Sequence, residues 1–331
     1  MRIKLKEQNQ MRRSLDLARE VQQSLLPSSV PEVSGLDIAG KSIYCEKTGG
    51  DYYDFLNFRN GRSNKVDVII GDVAGHGLPS ALLMTTARAF IRLRSSLSGS
   101  ISDIVTDVNR HLSRDTGESG RFMTLFYLSI DLAKKSLTWV RAGHEPAIFY
   151  DPADNSFQEL IGSGIPLGVD ESWQFEECQK IGLAKGQIIV LNTDGIRETR
   201  NSRNEMFGND SICEIIRRKK DAVANEIMNS ILNERNNFQC NSNPEDDFTI
   251  VVIKVKDDLY RKEMIPQGFM RKISNAPLKS IESLTRIIKR RQKNFFKKWR
   301  SALWNNSKMR WKSLNYSTNQ IAGNATKKPL C

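Results

Sequence analysis

Aspartates stand beside the ends of predicted strands at four places in this sequence. They are Asp51, Asp72, Asp194 and the adjacent pair Asp246 and Asp247. A carboxylate at the end of a buried strand is costly unless a cation or a hydrogen-bond network neutralises it. If the strand ends meet at one rim, the carboxylates repel one another and raise each other's pKa values unless cations lie between them. The pattern therefore predicts a cation site built from carboxylate oxygens.

The residue types around these aspartates indicate which cation would bind. Oxygen ligands without paired His or Cys favour Mg²⁺ or Mn²⁺. Two such ions close together are a common arrangement for phosphoester hydrolysis, because they activate a water and offset charge on the phosphoryl oxygens. The alternative is that Asp51 and Asp72 are solvated turn residues, as aspartates beside glycine often are. These two positions alone do not decide between the interpretations.

The segments that would position these aspartates form a regular series of predicted strands and helices. Strands are expected where β-branched and aromatic residues dominate. These segments are 36–43, 66–70, 122–130, 136–141, 147–150, 187–192 and 248–254. Helical periodicity covers 1–26, 79–93, 102–112, 211–218 and 221–234. Because short turns at 131–135 and 143–146 suggest antiparallel hairpins, we expect an α+β sandwich with antiparallel sheets.

The predicted helix 1–26 has one narrow apolar stripe. Its members recur at intervals of three and four, and they are Met11, Leu15, Ala18, Val21 and Leu25. A stripe of this width suits either a two-helix seam with a partner or packing on the body of the protein. Gln22 interrupts a strict heptad. Both interpretations remain open.

The net positive charge of the sequence comes from its C-terminal part. The chain has 331 residues, with 50 Lys and Arg, 38 Asp and Glu, and a formal net charge of +12. Residues 256–331 contain 19 of these basic residues and 4 of the acidic ones. Residues 1–255 carry a slight net negative charge. The basic residues of the tail therefore give no information about the substrate of the preceding domain.

Cysteine spacing and hydropathy exclude several classes of protein. The five cysteines form no CxxC pair and have no histidine at the spacing of metal ligands. We therefore expect free thiols rather than a zinc site. No run of about 18 apolar residues is present to span a bilayer, and no signal-type apolar core follows the basic N-terminus. These features predict a cytoplasmic protein.

Ten short motifs follow one another between residues 15 and 255. In order they are VQQSLLPSSVP, GGDYYDF, IIGDVAGHG, ALLM, FMTLFYLSID, AGHEPAIF, GIPLGV, VLNTDGIRET, MFG and DDFTIVV. Their order and spacing resemble the SpoIIE-type branch of the PP2C-like protein serine/threonine phosphatases, which includes the bacterial RsbU-like regulators. The resemblance implies an αββα sandwich over residues 27–256. The helix 1–26 would precede this domain, and the basic tail 257–331 would follow it.

The same resemblance implies an activity and a site. Members of this branch use two Mn²⁺ or Mg²⁺ ions to remove phosphate from serine or threonine. Carried over to this sequence, the catalytic carboxylates and metal ligands would be Asp51, Asp72, Asp194 and Asp246. Asp72 would bridge the two ions, and the backbone carbonyl of Val73 would join the ligands. Asp247 is the alternative to Asp246.

The sequence departs from the family pattern at three positions close to these motifs. Glu145 stands where Asn usually follows AGH, Gln187 replaces a common Asp, and Tyr44 stands where Pro is frequent. None of these changes removes a ligand, so the resemblance favours a competent enzyme. A catalytically inactive PP2C-like module that binds or scaffolds a partner is the alternative.

Two histidines and one arginine are further candidates. His76 could donate a proton to the leaving serine oxygen, because imidazole titrates near neutrality. In the wider PP2C group, however, the general-acid histidine follows an Asp-Gly pair, whereas Asp72 is followed by Val73. We therefore favour turn-bracing roles for His76 and His144. Arg121 could hold a substrate phosphate.

The tail combines apolar residues at helical spacing with many basic residues. The apolar set is Ile281, Leu284, Ile288, Phe295, Trp299 and Leu303. This composition is typical of a helix at a membrane surface or of a basic docking arm. The alternatives are contact with nucleic acid and a disordered extension without a function. The first interpretation predicts a peripheral position at the inner face of an anionic membrane.

Two partners follow from the resemblance and the helical pattern. The phosphorylated protein substrate would be an anti-sigma-factor antagonist in a partner-switching pathway, as the resemblance implies. An upstream activator, or a second copy of the chain, would bind through the helix 1–26. The sequence identifies neither the substrate nor the activating signal.

Overall fold

The computed structural model describes residues 2–56, 65–117, 119–240 and 246–256. The predicted tail 257–331, with its basic helix, lies outside the described residues. The predicted boundaries of the three segments therefore stay predictions.

Two five-stranded antiparallel sheets form the centre of the fold. In spatial order, the first sheet contains β1 (Leu36–Ile43), β10 (Phe248–Val255), β9 (Ile188–Asn192), β6 (Ala147–Asp151) and β7 (Ser156–Leu160). The second sheet contains β2 (Tyr52–Leu56), β3 (Lys65–Val73), β4 (Met123–Asp131), β5 (Ser136–Ala142) and β8 (Cys178–Ile181). Neighbouring strands pair antiparallel throughout both sheets.

Helices cover the outer face of each sheet. The helices α2 (Leu78–Ser95) and α3 (Ile101–Thr116) pack on the second sheet, and α5 (Gly208–Arg218) and α6 (Ala224–Phe238) pack on the first. A short helix, α4 (Asp194–Arg197), follows β9, and α1 (Arg2–Leu25) begins the described chain. The four layers are those of an αββα sandwich, so the predicted α+β fold is confirmed.

Strand β3 shows why the sequence from 68 to 70 is apolar without alternation. Val68 and Ile70 contribute to the core between the two sheets. Ile69 belongs to the core between the second sheet and its helices. All three side chains are fully buried. A strand that is covered on both faces favours apolar residues on both. The exception in β3 is Asp67, which is buried and accepts hydrogen bonds from the hydroxyls of Tyr127 and Ser129.

Helix α1 is present as predicted, and its contact face overlaps the predicted stripe in part, since Leu15, Ala18 and Leu25 are partly buried whereas Met11 is exposed. Val21 is 63% exposed, whereas Gln22 is only 3% exposed. The Gln22 amide donates to the carbonyl oxygen of Gly49 at 2.6 Å, and the Gly49 N–H donates to Gln22 Oε1 at 3.2 Å. An ion pair between Asp16 and Lys47 adds a second contact. The polar residue that interrupts the heptad therefore helps to attach the helix to the body.

The prediction of a hairpin at 143–146 was wrong. This segment leaves β5 in the second sheet and enters β6 in the first sheet. Both edges of β5 are already paired, with β4 on one side and β8 on the other. The Gly143 N–H donates instead to the carbonyl of Gly164 at 3.2 Å, and Gly143 has a positive φ of 69°. The hairpin at 131–135, which joins β4 to β5, is confirmed.

Candidate metal centre

The hairpin formed by β2 and β3 brings the first two aspartates together. Tyr52 pairs with Gly71, so Asp51 and Asp72 are the next residues at the same end of the hairpin. A side chain at Gly50 could not fit, because its Cβ would lie 2.7 Å from the Val73 carbonyl oxygen. The sequence pattern did not predict β2.

The first sheet supplies the other acidic residues at the end of β9 and the start of β10. Thr193, which follows β9, donates its N–H to the Thr249 carbonyl of β10 at 3.1 Å. Asp194 therefore begins α4 close to the point where Asp246 enters β10. The two sheets thus present acidic strand ends at the same edge of the sandwich.

Three of the four predicted ligands line one cavity of about 630 Å³. They are Asp72, Asp194 and Asp246. The remaining lining comes from Cys45, Glu46, Ala74, Gly75, His76, Phe122 and Thr124. Asp51 lies behind this surface, next to Asp72, and is 1% exposed. The structure therefore gathers all four predicted ligands at one rim, with three of them facing the opening.

Two threonines hold the buried carboxylate of Asp51. The hydroxyl of Thr193 donates to Asp51 Oδ2 at 2.9 Å, and the hydroxyl of Thr249 donates to the same oxygen at 2.7 Å. Both hydroxyls come from the first sheet, whereas Asp51 precedes a strand of the second. The sequence pattern does not reveal these threonines, because only the sheet pairing brings them to the aspartate.

The acidic residues at this rim perturb one another. Burial and the nearby charges of Asp194 and Asp246 raise the pKa of Asp72 to about 8. Burial and the charge of Asp72 raise the pKa of Asp51 above its usual range. Burial also raises the pKa of Asp246, and Asp194 adds to the effect. An added cation would relieve this repulsion and favour the ionised carboxylates.

The neighbouring Asp247 has a different environment from Asp246. Its carboxylate accepts the N–H of Cys45 at 2.8 Å and the N–H of Gly50 at 3.0 Å. It is 6% exposed and does not line the cavity, whereas Asp246 does. Asp247 therefore braces the loop that leads to Asp51, and Asp246 is left free to face a ligand.

The donor set fits a hard divalent cation. The rim offers carboxylate and backbone carbonyl oxygens, which suit Mg²⁺ or Mn²⁺. In the described part of the chain, none of the five site aspartates forms an ion pair with Lys, Arg or His. Among the same residues, no three Asp, Glu, His or Cys side chains already converge as a metal site. The rim therefore offers oxygen ligands that no cationic side chain among the described residues already occupies.

The two histidines occupy different positions. His144 is 3% exposed, and its Nδ1 lies 2.8 Å from the Thr124 hydroxyl, so it braces a cavity residue from behind. Burial, with the nearby charge of Arg141, lowers the pKa of His144 to about 3. His76 lines the cavity and forms an exposed pair with Glu46 at 3.0 Å. His144 therefore remains neutral near pH 7, whereas His76 is accessible to a ligand.

Two other residues that the sequence singled out have structural partners. Glu145 accepts a 2.7 Å hydrogen bond from Arg197, a residue of α4. Gln187 donates to Asp151 at 2.7 Å. Neither contact involves the acidic rim. These departures from the family pattern leave the candidate ligands in position.

Comparisons with known proteins agree with this architecture. Residues 62–256 match the family described as Stage II sporulation protein E (SpoIIE). The phosphoserine phosphatase RsbU of Bacillus subtilis (strain 168) is 29% identical over 252 residues, which cover 75% of this chain and 72% of RsbU.

Two solved structures share the fold. The SiaA-PP2C domain of Pseudomonas aeruginosa superimposes with a TM-score of 0.65 at 22% identity, and the match covers 76% of this chain and 99% of that domain. RsbX, solved in complex with magnesium, gives a TM-score of 0.52 at 14% identity over 69% of this chain and 99% of RsbX. The family match extends over more than half of the sequence. The chain therefore belongs to the SpoIIE family of PP2C-like serine/threonine phosphatases.

Proposed function

We propose that this phosphatase hydrolyses phosphoserine or phosphothreonine on a regulatory protein, with two divalent ions, Mn²⁺ or Mg²⁺, bound at the acidic rim. The observation that carries the proposal is the set of mutually repelling carboxylates around one cavity, none of which has a cationic partner among the described residues. The proposed ligands are Asp51, Asp72, Asp194, Asp246 and the carbonyl oxygen of Val73. Ions bound there would activate a water and offset the charge of the phosphoryl group.

The residues of the chain itself would set the geometry of this reaction. Thr193 and Thr249 fix the carboxylate of Asp51, so that its second oxygen is available to a ligand. Asp247 holds the loop at Gly50 through its backbone N–H. Thr124 offers a hydroxyl at the cavity wall, and neutral His144 orients it. These contacts reduce the movement that substrate binding would otherwise require.

Phosphate release from p-nitrophenyl phosphate tests the proposal. We expect hydrolysis that depends on added Mn²⁺ or Mg²⁺ and that stops when a chelator removes the metal. Calorimetric titration of the metal-free protein with Mn²⁺ should give a stoichiometry of two. Absence of hydrolysis despite metal binding and a folded protein would favour the inactive binding module instead.

The substrate class is the finer part of the proposal. RsbU is named as a phosphoserine phosphatase, and its match extends over most of this chain. We infer that the natural substrate is a phosphorylated anti-sigma-factor antagonist of a partner-switching pathway. Incubation with such phosphoproteins, followed by mass spectrometry of the phosphorylated serine, should identify one that loses its phosphate faster than free phosphoserine does.

Helix α1 is the proposed contact for an activator or a second copy. Gln22 links this helix directly to Gly49, two residues before Asp51, so a partner on α1 could alter the loop that carries a ligand. Val21 is exposed beside the docked face, and Leu15 is partly buried. Val21→Lys should change oligomeric state or activation without lowering the melting temperature. Loss of folding in Val21→Lys would instead support a purely structural helix.

The tail carries a separate proposal about membrane attachment. No helix in the described part of the chain is both long and apolar enough to cross a bilayer. We propose that residues 257–331 attach the phosphatase to an anionic surface, since each Lys or Arg near such a surface contributes roughly 1 kcal/mol. Full-length protein should sediment with anionic but not with neutral vesicles, whereas a chain ending at Lys256 should stay in the supernatant. Stronger binding to nucleic acid than to lipid would contradict this.

A further inference from the structure

A second cavity opens beside the acidic one and shares residues with it. It has a volume of about 460 Å³ and lies between α1, the loop 44–48 and the start of α2. Cys45 and Glu46 line both cavities. We call this second cavity the α1 groove. A ligand chain that leaves the acidic cavity past Glu46 therefore enters the α1 groove directly.

The lining of the α1 groove suits a short stretch of polypeptide. Leu15 and Leu78 provide apolar surface, and Leu78 is 41% exposed although it begins a helix. Arg19 lies at the groove with its side chain in solvent. Apolar contacts with a few polar groups around them are typical of grooves that bind peptides.

Thr48 supplies an independent indication that the groove binds a ligand. This residue lines the groove, is 2% exposed, and its hydroxyl has no hydrogen-bond partner among the described residues. A buried hydroxyl without a partner is costly. A peptide backbone in the groove could supply the missing partner after a small rotation of the side chain.

The junction between the two cavities is charged. Glu46 pairs with His76 at 3.0 Å across it. A Cβ at Gly77 would lie 3.2 Å from Glu46 Oε2, so the start of α2 also approaches closely there. A substrate residue at this junction would face the Glu46 carboxylate. Acidic residues should therefore be disfavoured immediately next to the phosphoserine on the groove side.

We propose that the α1 groove binds the segment of the phosphoprotein substrate that flanks the phosphoserine, through an apolar side chain between Leu15 and Leu78. The inference rests on the proposed phosphatase function, because it takes the acidic cavity as the position of the phosphoserine. Because the two cavities share Cys45 and Glu46, the contacting side chain lies a few residues from the phosphoserine in an extended chain. Continuity with the acidic cavity favours this occupant over a second copy of the chain.

Binding of synthetic peptides tests the groove independently of turnover. The probes are fluorescent phosphoserine decapeptides with a serine and glycine background, in which a single leucine moves through four positions on each side. Anisotropy in the presence of Mn²⁺ gives affinity, and phosphate release gives kcat/KM. On one side, leucine at one or two positions should improve both by about tenfold, which corresponds to partial burial of one leucine side chain.

Matched variants assign any such gain to the groove. Leu78→Ser should abolish the preference for leucine. Thr48→Val should weaken the binding of every peptide, with or without leucine. Leu82→Ser is the control, because Leu82 lies one turn along the same helix, is 62% exposed and does not line the groove. It should retain the preference. Melting temperatures verify that each variant folds.

The outcomes separate the two proposals. Leucine-dependent binding without phosphate release from any substrate would contradict the phosphatase function and support the groove. Phosphate release with no preferred leucine position, or with a preference that survives Leu78→Ser, would overturn the groove. Self-association that Leu78→Ser abolishes, without leucine-dependent peptide binding, would identify a second copy as the occupant and also overturn the proposal.

Discussion

Two buried aspartates, Asp51 just before strand β2 and Asp54 within it, have very different surroundings. Asp54 is 1% exposed and receives two hydrogen bonds from Arg92, at 2.6 and 2.8 Å, and one from the Tyr52 hydroxyl at 2.8 Å. Asp51, three residues earlier and equally buried, receives only threonine hydroxyls and has the carboxylate of Asp72 as a neighbour. Arg92 is the cation that neutralises Asp54, whereas no Lys, Arg or His among the described residues forms an ion pair with Asp51.

This difference distinguishes a structural carboxylate from one prepared for a ligand. A buried ion pair with a bidentate arginine satisfies both carboxylate oxygens and leaves no donor for a metal. The Asp51 and Asp72 pair instead has raised pKa values, and its charged neighbours are other carboxylates rather than an arginine. Removing a carboxylate should therefore have opposite consequences at the two places: loss of stability at Asp54 and loss of activity at Asp72.

Asp72→Asn should give the largest effect on activity. Even the hydrogen-bond partners of metal ligands change affinity or activity by 10–100-fold, so loss of the proposed bridging ligand should reduce turnover by more than about 100-fold. The melting temperature in chelator should stay the same or rise, because asparagine replaces a carboxyl group whose ionised form is disfavoured by burial and by its acidic neighbours. Phosphate release in Mn²⁺ and thermal denaturation measure the two quantities. Near-normal Mn²⁺-dependent turnover would contradict the role proposed for Asp72.

Asp246→Asn and Asp247→Asn should separate the two adjacent acids. Asp246 lines the cavity, so its replacement should lower turnover by about 100-fold with little change in stability. Asp247 accepts two backbone N–H groups, so its replacement should lower the free energy of unfolding by about 1 kcal/mol, with a smaller loss of turnover. Kinetics and urea denaturation of both variants provide the test. The reverse pattern would move the proposed ligand to Asp247.

The sequence predicted the acidic residues of the rim better than the contacts that hold them. Strand-end aspartates can be recognised locally, because glycine turns and apolar runs mark them. The hydroxyls of Thr193 and Thr249 reach Asp51 only through pairing of strands that are distant in sequence. Strand β2 was missed because the buried Asp54 breaks its apolar pattern, and the pairing with Arg92 is what permits that aspartate there.

The same limit explains the wrong hairpin at 143–146 and the contact on α1 that the apolar pattern did not predict. A short turn between two strands usually forms a hairpin, but β5 had no unpaired edge, which only the complete sheet reveals. On α1, apolar periodicity pointed to Val21, whereas the helix contacts the body through the amide of Gln22. Periodicity detects apolar burial, and it does not detect a polar side chain that binds a backbone turn.

Arg92→Met should test the structural half of the comparison. It removes the cation from Asp54 and leaves a buried carboxylate without its main partner. We expect a loss of about 2 kcal/mol in the free energy of unfolding, below the range for fully buried pairs, because the Arg92 side chain is 44% exposed. Urea denaturation should show that adding Asp54→Asn recovers part of the loss. A Mn²⁺ affinity that falls as much as in Asp72→Asn would erase the proposed distinction.

His144 extends the comparison to a buried group that the fold keeps neutral. Burial lowers its pKa to about 3, against an ordinary value of 6.5. The unfolded chain therefore takes up a proton on His144 as the pH falls below that ordinary value, while the folded chain does not. Stability from neutral His144 is fully present above the ordinary pKa and is lost as the pH decreases. Between about pH 7.5 and pH 5.5 the loss should be about 1.4 kcal/mol.

A His144→Gln variant isolates this contribution from the other titrating groups. Its free energy of unfolding should decrease less between the two pH values than that of the parent protein, by about 1.4 kcal/mol, because glutamine does not titrate. Urea denaturation in chelator at both pH values gives the comparison and removes any effect of metal binding. The absolute stability of the variant does not matter, since only the difference between the two pH values is used. Equal pH dependence in the two proteins would mean that His144 is protonated in the folded state, and that it does not hold the Thr124 hydroxyl as a neutral imidazole.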